Sequence, residues 1–225
     1  MLLVLQAAYR CSGRMPHFLT KPDFLTMTKL IVAAEIIAFH DECVANRSWA
    51  KSVSARFAEG LWQFLELNHR FNNLLWDEED LARRRDVADS EIAANKRAID
   101  GYNQKRNDAI ERMDEVFLSA LPPAVPGSRL NSETAGSMID RISILALKIF
   151  HMGEQTRRTD ASAEHIATCQ AKLERLREQR ADLAGCLEQL LADCAAGVAH
   201  YKVYRQFKMY NDATLNPYLY GAKQA

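Results

Sequence analysis

Glycine and proline are scarce in this chain, 9 and 6 of 225 residues, too few breaks for a fold of many short strands. Disorder is excluded from the other side, because 48% of the residues are hydrophobic and can build a core. Helix is the expected class. No sign of charge is in excess, since Lys+Arg and Asp+Glu both total 29. No global field therefore gathers nucleic acid or anionic membrane, and any basic site must be local. The cysteines Cys11, Cys43, Cys169, Cys186 and Cys194 are odd in number and lack a C-x-x-C spacing. Neither a disulfide framework nor a zinc site is indicated, and a reducing cytoplasm is the expected location. No apolar run reaches the roughly 20 residues that span a bilayer. The opening MLLVLQAAYRC has no basic residue ahead of its apolar stretch and no small-residue cleavage site, which argues against export. Also missing are a glycine loop for phosphate, a Gly-x-Ser-x-Gly elbow and a cysteine nucleophile with a preset histidine, and no cofactor is expected.

Residues 1–26 mix glycine, proline and scattered apolar residues without a period, and regular patterning begins just after Met27, a candidate translation start. The remainder, 27–225, reads as one helical domain, with LPPAVPGSRLN at 121–131 as its internal break. Val32, Ile36, Phe39 and Cys43 mark a first helix from Thr28 to about Asn46. Ser48 can cap a second, to about Arg85, with Val53, Phe57, Phe64, Phe71 and Leu75 as its apolar stripe. Asp89 can cap a third, to about Leu121, and Ser132 opens a fourth, to about Arg157. Asp160 or Ser162 can cap a fifth, to about His200, whose apolar positions from Ile166 through Leu173, Leu183 and Leu190 to Gly197 follow alternating steps of three and four. That heptad-like seam must pack on partner helices. The expected fold is all-α, an antiparallel bundle of about five long helices with an aromatic C-terminal tail, and no β-hairpin signal is present.

The fourth helix carries ten apolar residues in MIDRISILALKIFHM, residues 138–152, spread round its circumference, which predicts a central position. Ser137, Arg141, Lys148 and His151 share one of its stripes, and a buried cation there would need a carboxylate or an anionic ligand; the bland alternative is that Arg141 and Lys148 snorkel or pair with acids of neighbouring helices. On the second helix Trp62, His69, Asn72, Trp76, Glu79 and Arg83 share a stripe in which indoles flank polar groups, a pattern able to hold a sugar or a cation, or simply to form an interface. Arg106 lies in the apolar seam of the third helix. Glu66-x-x-His69 has half the spacing of a di-iron site, but no second copy exists and no metal is expected. The tail 201–221 holds five of seven tyrosines; it can dock on the bundle, close over a pocket with Lys208, Tyr210 and Asn211, or, least favoured, bind single-stranded nucleic acid.

LNHRFNNLLWDEED (67–80), LNSETAGSMIDRISILALKIFHM (130–152) and YRQFKMYNDATLNPYLY (204–220) resemble the signatures of a bacterial family known as domain of unknown function 4254. The likeness spans nearly everything after Met27, although this chain has Ala135 and Ala213 where the family pattern often has proline. The resemblance implies no activity. Its recurring positions include His69, Asn72, Trp76, Glu79, Asp80, Glu133, Asp140, Arg141, Lys148 and Asn211, and its members' occurrence beside sugar-transfer genes implies a link to envelope glycan synthesis. The expectation is a cytoplasmic helical protein with a polar pocket between its second, third and fourth helices for a small anionic, phosphorylated or sugar-containing molecule. Arg106, Arg141 and Lys148 would hold the anion and Trp76 would stack. Asn72, Asp140 and His151 would line the pocket, and Glu79 or His69 would be the acid or base if a reaction occurs. The alternative is a non-catalytic module that binds itself or a sugar-transfer enzyme. No membrane span is expected.

Overall fold

The helix signals of the sequence translate into two long helical hairpins packed together, one arm of the second lying at the centre. The computed structural model describes residues 32–52, 54–205 and 209–221; the 1–26 segment and Met27 lie outside the described residues. Helix α1 (Ala33–Ala45) buries Ile36, Phe39 and Cys43 of the predicted stripe, whereas Val32, the residue before its first turn, is 43% exposed. Helices α2 (Gly60–Leu81) and α3 (Asp89–Ala120) form one hairpin; α4 (Ala135–Thr156) and α5 (Ala163–Ala195) form the other. Helix α4 packs against α1, α2, α3 and α5 and so occupies the centre. Ile36, Leu65, Met113, Ile139, Ile142 and Leu187, one or two from each helix, are fully enclosed in the shared core. The fold is an all-α bundle. No helix among the described residues is long and apolar enough to cross a membrane.

Several boundaries differ from the sequence expectation, each for a local reason. Ser48 does not open the second helix: a single 3-10 turn, Trp49–Lys51, is followed by non-helical chain at 54–59, and Val53 of the expected stripe lies outside the described residues. That chain is held by a buried pair from α2. Glu66 accepts from the backbone N–H groups of Arg56 and Phe57, while the Arg70 guanidinium bonds Glu66 at 3.0 Å and donates to the carbonyls of Trp49, Ala50, Ser52 and Ser54. Long-range polar contacts thus outweigh local helix propensity, and Phe57 sits in a loop. Asp89 is the first helical residue of α3 rather than its cap. Thr134, not Ser132, caps α4, through a reciprocal box in which the Ser137 N–H donates to Thr134 Oγ1 and the Thr134 N–H donates to Ser137 Oγ. Ser162 caps α5 as expected, accepting from the His165 N–H.

Helix α5 ends at Ala195 rather than near His200, because Gly197 turns the chain at φ +72°. The chain then enters a short strand β2 (Ala199–Tyr201), which pairs in parallel with β1 (Arg129–Asn131), Leu130 opposite His200. This small sheet fastens the linker before α4 to the end of α5. Beyond it lie the 3-10 turn Met209–Asn211, with Met209 and Asn211 solvent-exposed, and the short exposed helix α6 (Pro217–Tyr220).

Candidate functional site

One stripe of α2 passes through four environments in turn. Trp62 packs on Phe39 and Phe57 near α1. His69, one turn pair further, is fully buried: its ring stacks on His40 at 4.2 Å, its Nδ1 lies 2.7 Å from Ser143 Oγ and its Nε2 3.2 Å from the His40 carbonyl. A carbonyl can only accept, so Nε2 carries the proton and the Ser143 hydroxyl donates to Nδ1. Burial lowers the His69 pKa to about 3. With both nitrogens engaged and no route to a groove, His69 is placed as a core residue rather than beside a ligand.

Asn72 follows, bridging α2 to α4. The amides of Asn68 and Asn72 both donate to Asp140 Oδ1, at 2.8 and 2.9 Å, and Asn72 donates also to Ser143 Oγ at 2.9 Å. Arg106 of α3 approaches the same Asp140 oxygen at 4.0 Å, and its buried Nε has no hydrogen-bond acceptor. The sequence placed Arg106 and Asp140 together in one site, and the structure brings them together.

Trp76 then reaches the surface between two grooves. Its indole stacks on the His151 ring with centroids 4.6 Å apart and planes 5° apart. His151 Nδ1 lies 3.1 Å from Glu154 Oε2, and Arg47 pairs with the other Glu154 oxygen. Desolvation holds the His151 pKa below its ordinary value. The larger groove, about 630 Å³, runs between α2, α4 and α5 and is mostly apolar. Trp76, Met152 and Leu176 contribute to its wall, and Lys148, Lys172 and Arg175 put three cations around it against the single acid Asp80. Arg175 pairs with Glu178 at 3.5 Å, whereas neither lysine forms an ion pair with a described residue. The second groove, about 310 Å³, lies between α2, α3 and α4; Trp76 and Asp80 belong to both. It adds Asn72, Glu79, Arg83 and Arg106 over an apolar wall of Leu75, Ile144 and Leu147.

A model of the family described as protein of unknown function, DUF4254, matches residues 62–203. The chain belongs to this family. Searches of curated proteins and of solved structures return no match. The DUF4254 span contains every residue of both grooves and stops short of the 204–220 segment.

The other expected site residues are dispersed within the DUF4254 fold. Arg141 lies on the outer face of α4, its side chain 47% exposed and paired with Glu133 near the helix start, so the cation expected to be buried has solvent and a carboxylate beside it. Lys148 is likewise exposed, at the mouth of the larger groove. Glu79 is tied to Arg83 at 2.6 Å and to Lys96 at 3.7 Å, contacts that hold its pKa below the ordinary value, the Arg83 bond foremost. Asn211 belongs to the exposed tail turn; Lys208 and the Tyr210 side chain lie outside the described residues. Among the described residues no group of three or more His, Cys, Asp or Glu is placed to hold a metal ion. Sequence reasoning missed Lys172 and Arg175. They flank the α5 seam at a spacing of three, but a seam identifies the buried face of a helix without identifying the neighbour beside its flank.

Proposed function

We propose that this protein binds a small anionic molecule, of the phosphate or carboxylate kind, in the groove between α2, α4 and α5, as a cytoplasmic protein serving glycan synthesis. One observation carries the reading: Lys148, Lys172 and Arg175 surround an apolar groove floored by the stacked Trp76 and His151. Three cations, set against Asp80 in the lining and Glu178 beside Arg175, leave a local positive balance in an otherwise neutral chain. The apolar wall lowers the effective dielectric, which strengthens charge-assisted hydrogen bonds to an anion. The reading is of binding. The two side chains expected to supply acid or base chemistry are, respectively, ion-paired and enclosed, as described above for Glu79 and His69.

Calorimetric titration of the full chain with inorganic phosphate, pyrophosphate and citrate at low salt tests it. At least one should bind, and Lys172→Ala or Arg175→Ala should each weaken that binding on the order of tenfold without lowering the thermal midpoint, since both side chains are exposed. Heat signals unchanged in both variants would refute the assignment. A second reading, a module that docks a protein partner or another copy, is favoured by the apolar side chains of the C-terminal segment: Tyr204 is 75% exposed and Tyr218 89%. It predicts concentration-dependent association in sedimentation that deletion of 204–225 abolishes.

A further inference from the structure

The two grooves that meet at Trp76 have different electrostatic characters. The larger is basic, as above. In the smaller, Arg83 and Arg106 face Glu79 and Asp80, so charge is balanced. Together they form a furrow along α4 from Ile144 to Gln155, about 16 Å at ~1.5 Å per residue. We propose that the smaller groove takes the uncharged, hydroxyl-bearing ring of a saccharide whose phosphate sits in the basic groove, so that the ligand class is a phosphorylated sugar. This rests on the basic-groove reading and extends it.

Three features fit such a ring. First, Trp76 lines the smaller groove while His151 stacks on its indole at 4.6 Å, and the C–H face of a pyranose is an apolar surface that packs well against an aromatic ring. Second, Arg106 Nε is a buried donor without an acceptor. Its nearest carboxylate oxygen, Asp140 Oδ1, already accepts from Asn68 and Asn72 and lies 4.0 Å away. A sugar hydroxyl would meet the exposed part of the same guanidinium, since the Arg106 side chain is 25% exposed and lines the groove. Third, Arg106 places guanidinium donors near the carboxylate acceptors of Glu79 and Asp80 along the groove, the arrangement that bonds neighbouring hydroxyls, each of which both donates and accepts. A second anion would be poorly served there, because Glu79 and Asp80 oppose it.

The test is calorimetry on the full chain with inorganic phosphate and with the 1-phosphates of glucose, galactose, mannose and N-acetylglucosamine. At least one sugar phosphate should bind about tenfold or more tighter than phosphate itself. Arg106→Lys, which keeps a cation beside Asp140, and Glu79→Gln should each remove most of that increment while leaving the affinity for inorganic phosphate unchanged. Lys172→Ala should weaken both ligands. If phosphate binds but no sugar phosphate exceeds it, or if the increment survives Arg106→Lys, the saccharide assignment is wrong and the basic groove stands. If phosphate and every sugar phosphate fail while pyrophosphate or citrate binds, the saccharide assignment falls alone; if none of these ligands binds, both fall.

Discussion

Gly136, the second residue of α4, shows how closely one position can join two helices. A Cβ built there would lie 2.7 Å from the Ile110 carbonyl oxygen and 2.9 Å from Asp114 Oδ1. Its own N–H donates to that same Asp114 oxygen at 2.6 Å. The carboxylate of α3 thus caps the start of α4 at a distance that only glycine permits, and burial is what pushes the Asp114 pKa up to about 6 despite the bonds from Thr134 and Gly136. Gly136→Ala should therefore destabilise the fold by about 2 kcal/mol, the cost of overpacking a closed contact, read from the urea midpoint at constant slope. A change below about 0.5 kcal/mol would mean that α3 and α4 separate without penalty.

At the scale of elements, the Glu66 and Arg70 pair decides where α2 begins. Both side chains are nearly enclosed, 2% and 12% exposed, and the Arg70 guanidinium lies 4.7 Å over the Trp49 ring. Arg70→Met would leave Glu66 charged beside two backbone donors and remove the donor to four loop carbonyls. The expected loss is about 3–5 kcal/mol, as for a broken buried pair, with limited proteolysis appearing first between residues 49 and 59. Cleavage unchanged from the parent chain would show that the loop is held by its aromatic contacts instead. The same element shows what was legible in the sequence. The periods located α3, α4, α5 and the end of α1 to within about five residues, because α1, α3 and α5 each bury one face while the apolar residues of α4 surround it. The start of α2 was not legible, because Ser48 and Phe57 satisfy the local pattern while contacts from Glu66 and Arg70 override it. The β1 and β2 pairing had no signal, since three residues are too few for alternation. Of the groove, Trp76, Lys148 and His151 were readable as stripe residues. Arg141, about two turns before Lys148 on the same helix, looked equivalent to it, and only the packing of α5 separates the solvent side from the groove side.

For the molecule as a whole, the interior of the bundle sets a dependence of stability on pH. His40 and His69 are stacked and fully buried with no carboxylate between them. The His40 pKa lies well below its ordinary value through burial first, then the neighbouring His69 and Arg180 charges; that of His69 falls to about 3 through burial. In the unfolded chain both return to about 6.5. Below that pH the unfolded state binds more protons than the folded one, so their stabilisation is complete above about 6.5 and is lost as the pH falls. Each contributes a slope of about 1.4 kcal/mol per pH unit once well inside the window. Asp114 acts in the opposite sense. Its folded pKa of about 6 exceeds the unfolded value of about 3.9, so it favours the folded state increasingly as pH falls between those values and offsets one of the two histidines. Stability should therefore fall from pH 7 to pH 5, these three groups giving a net slope near 1.4 kcal/mol per unit in the lower half of that range, with the lowered pKa of half-buried His151 adding in the same sense. His40→Phe keeps a flat ring against His69 and removes two buried nitrogens that have no hydrogen-bond partner. It should be neutral or mildly stabilising at pH 7, by up to about 1 kcal/mol, and should flatten the acid limb, because one histidine then merely balances Asp114. Urea titrations at pH 5, 6 and 7 on both proteins measure this directly, and parallel acid limbs in the two would show that the stacked histidines do not govern the acid sensitivity of the bundle.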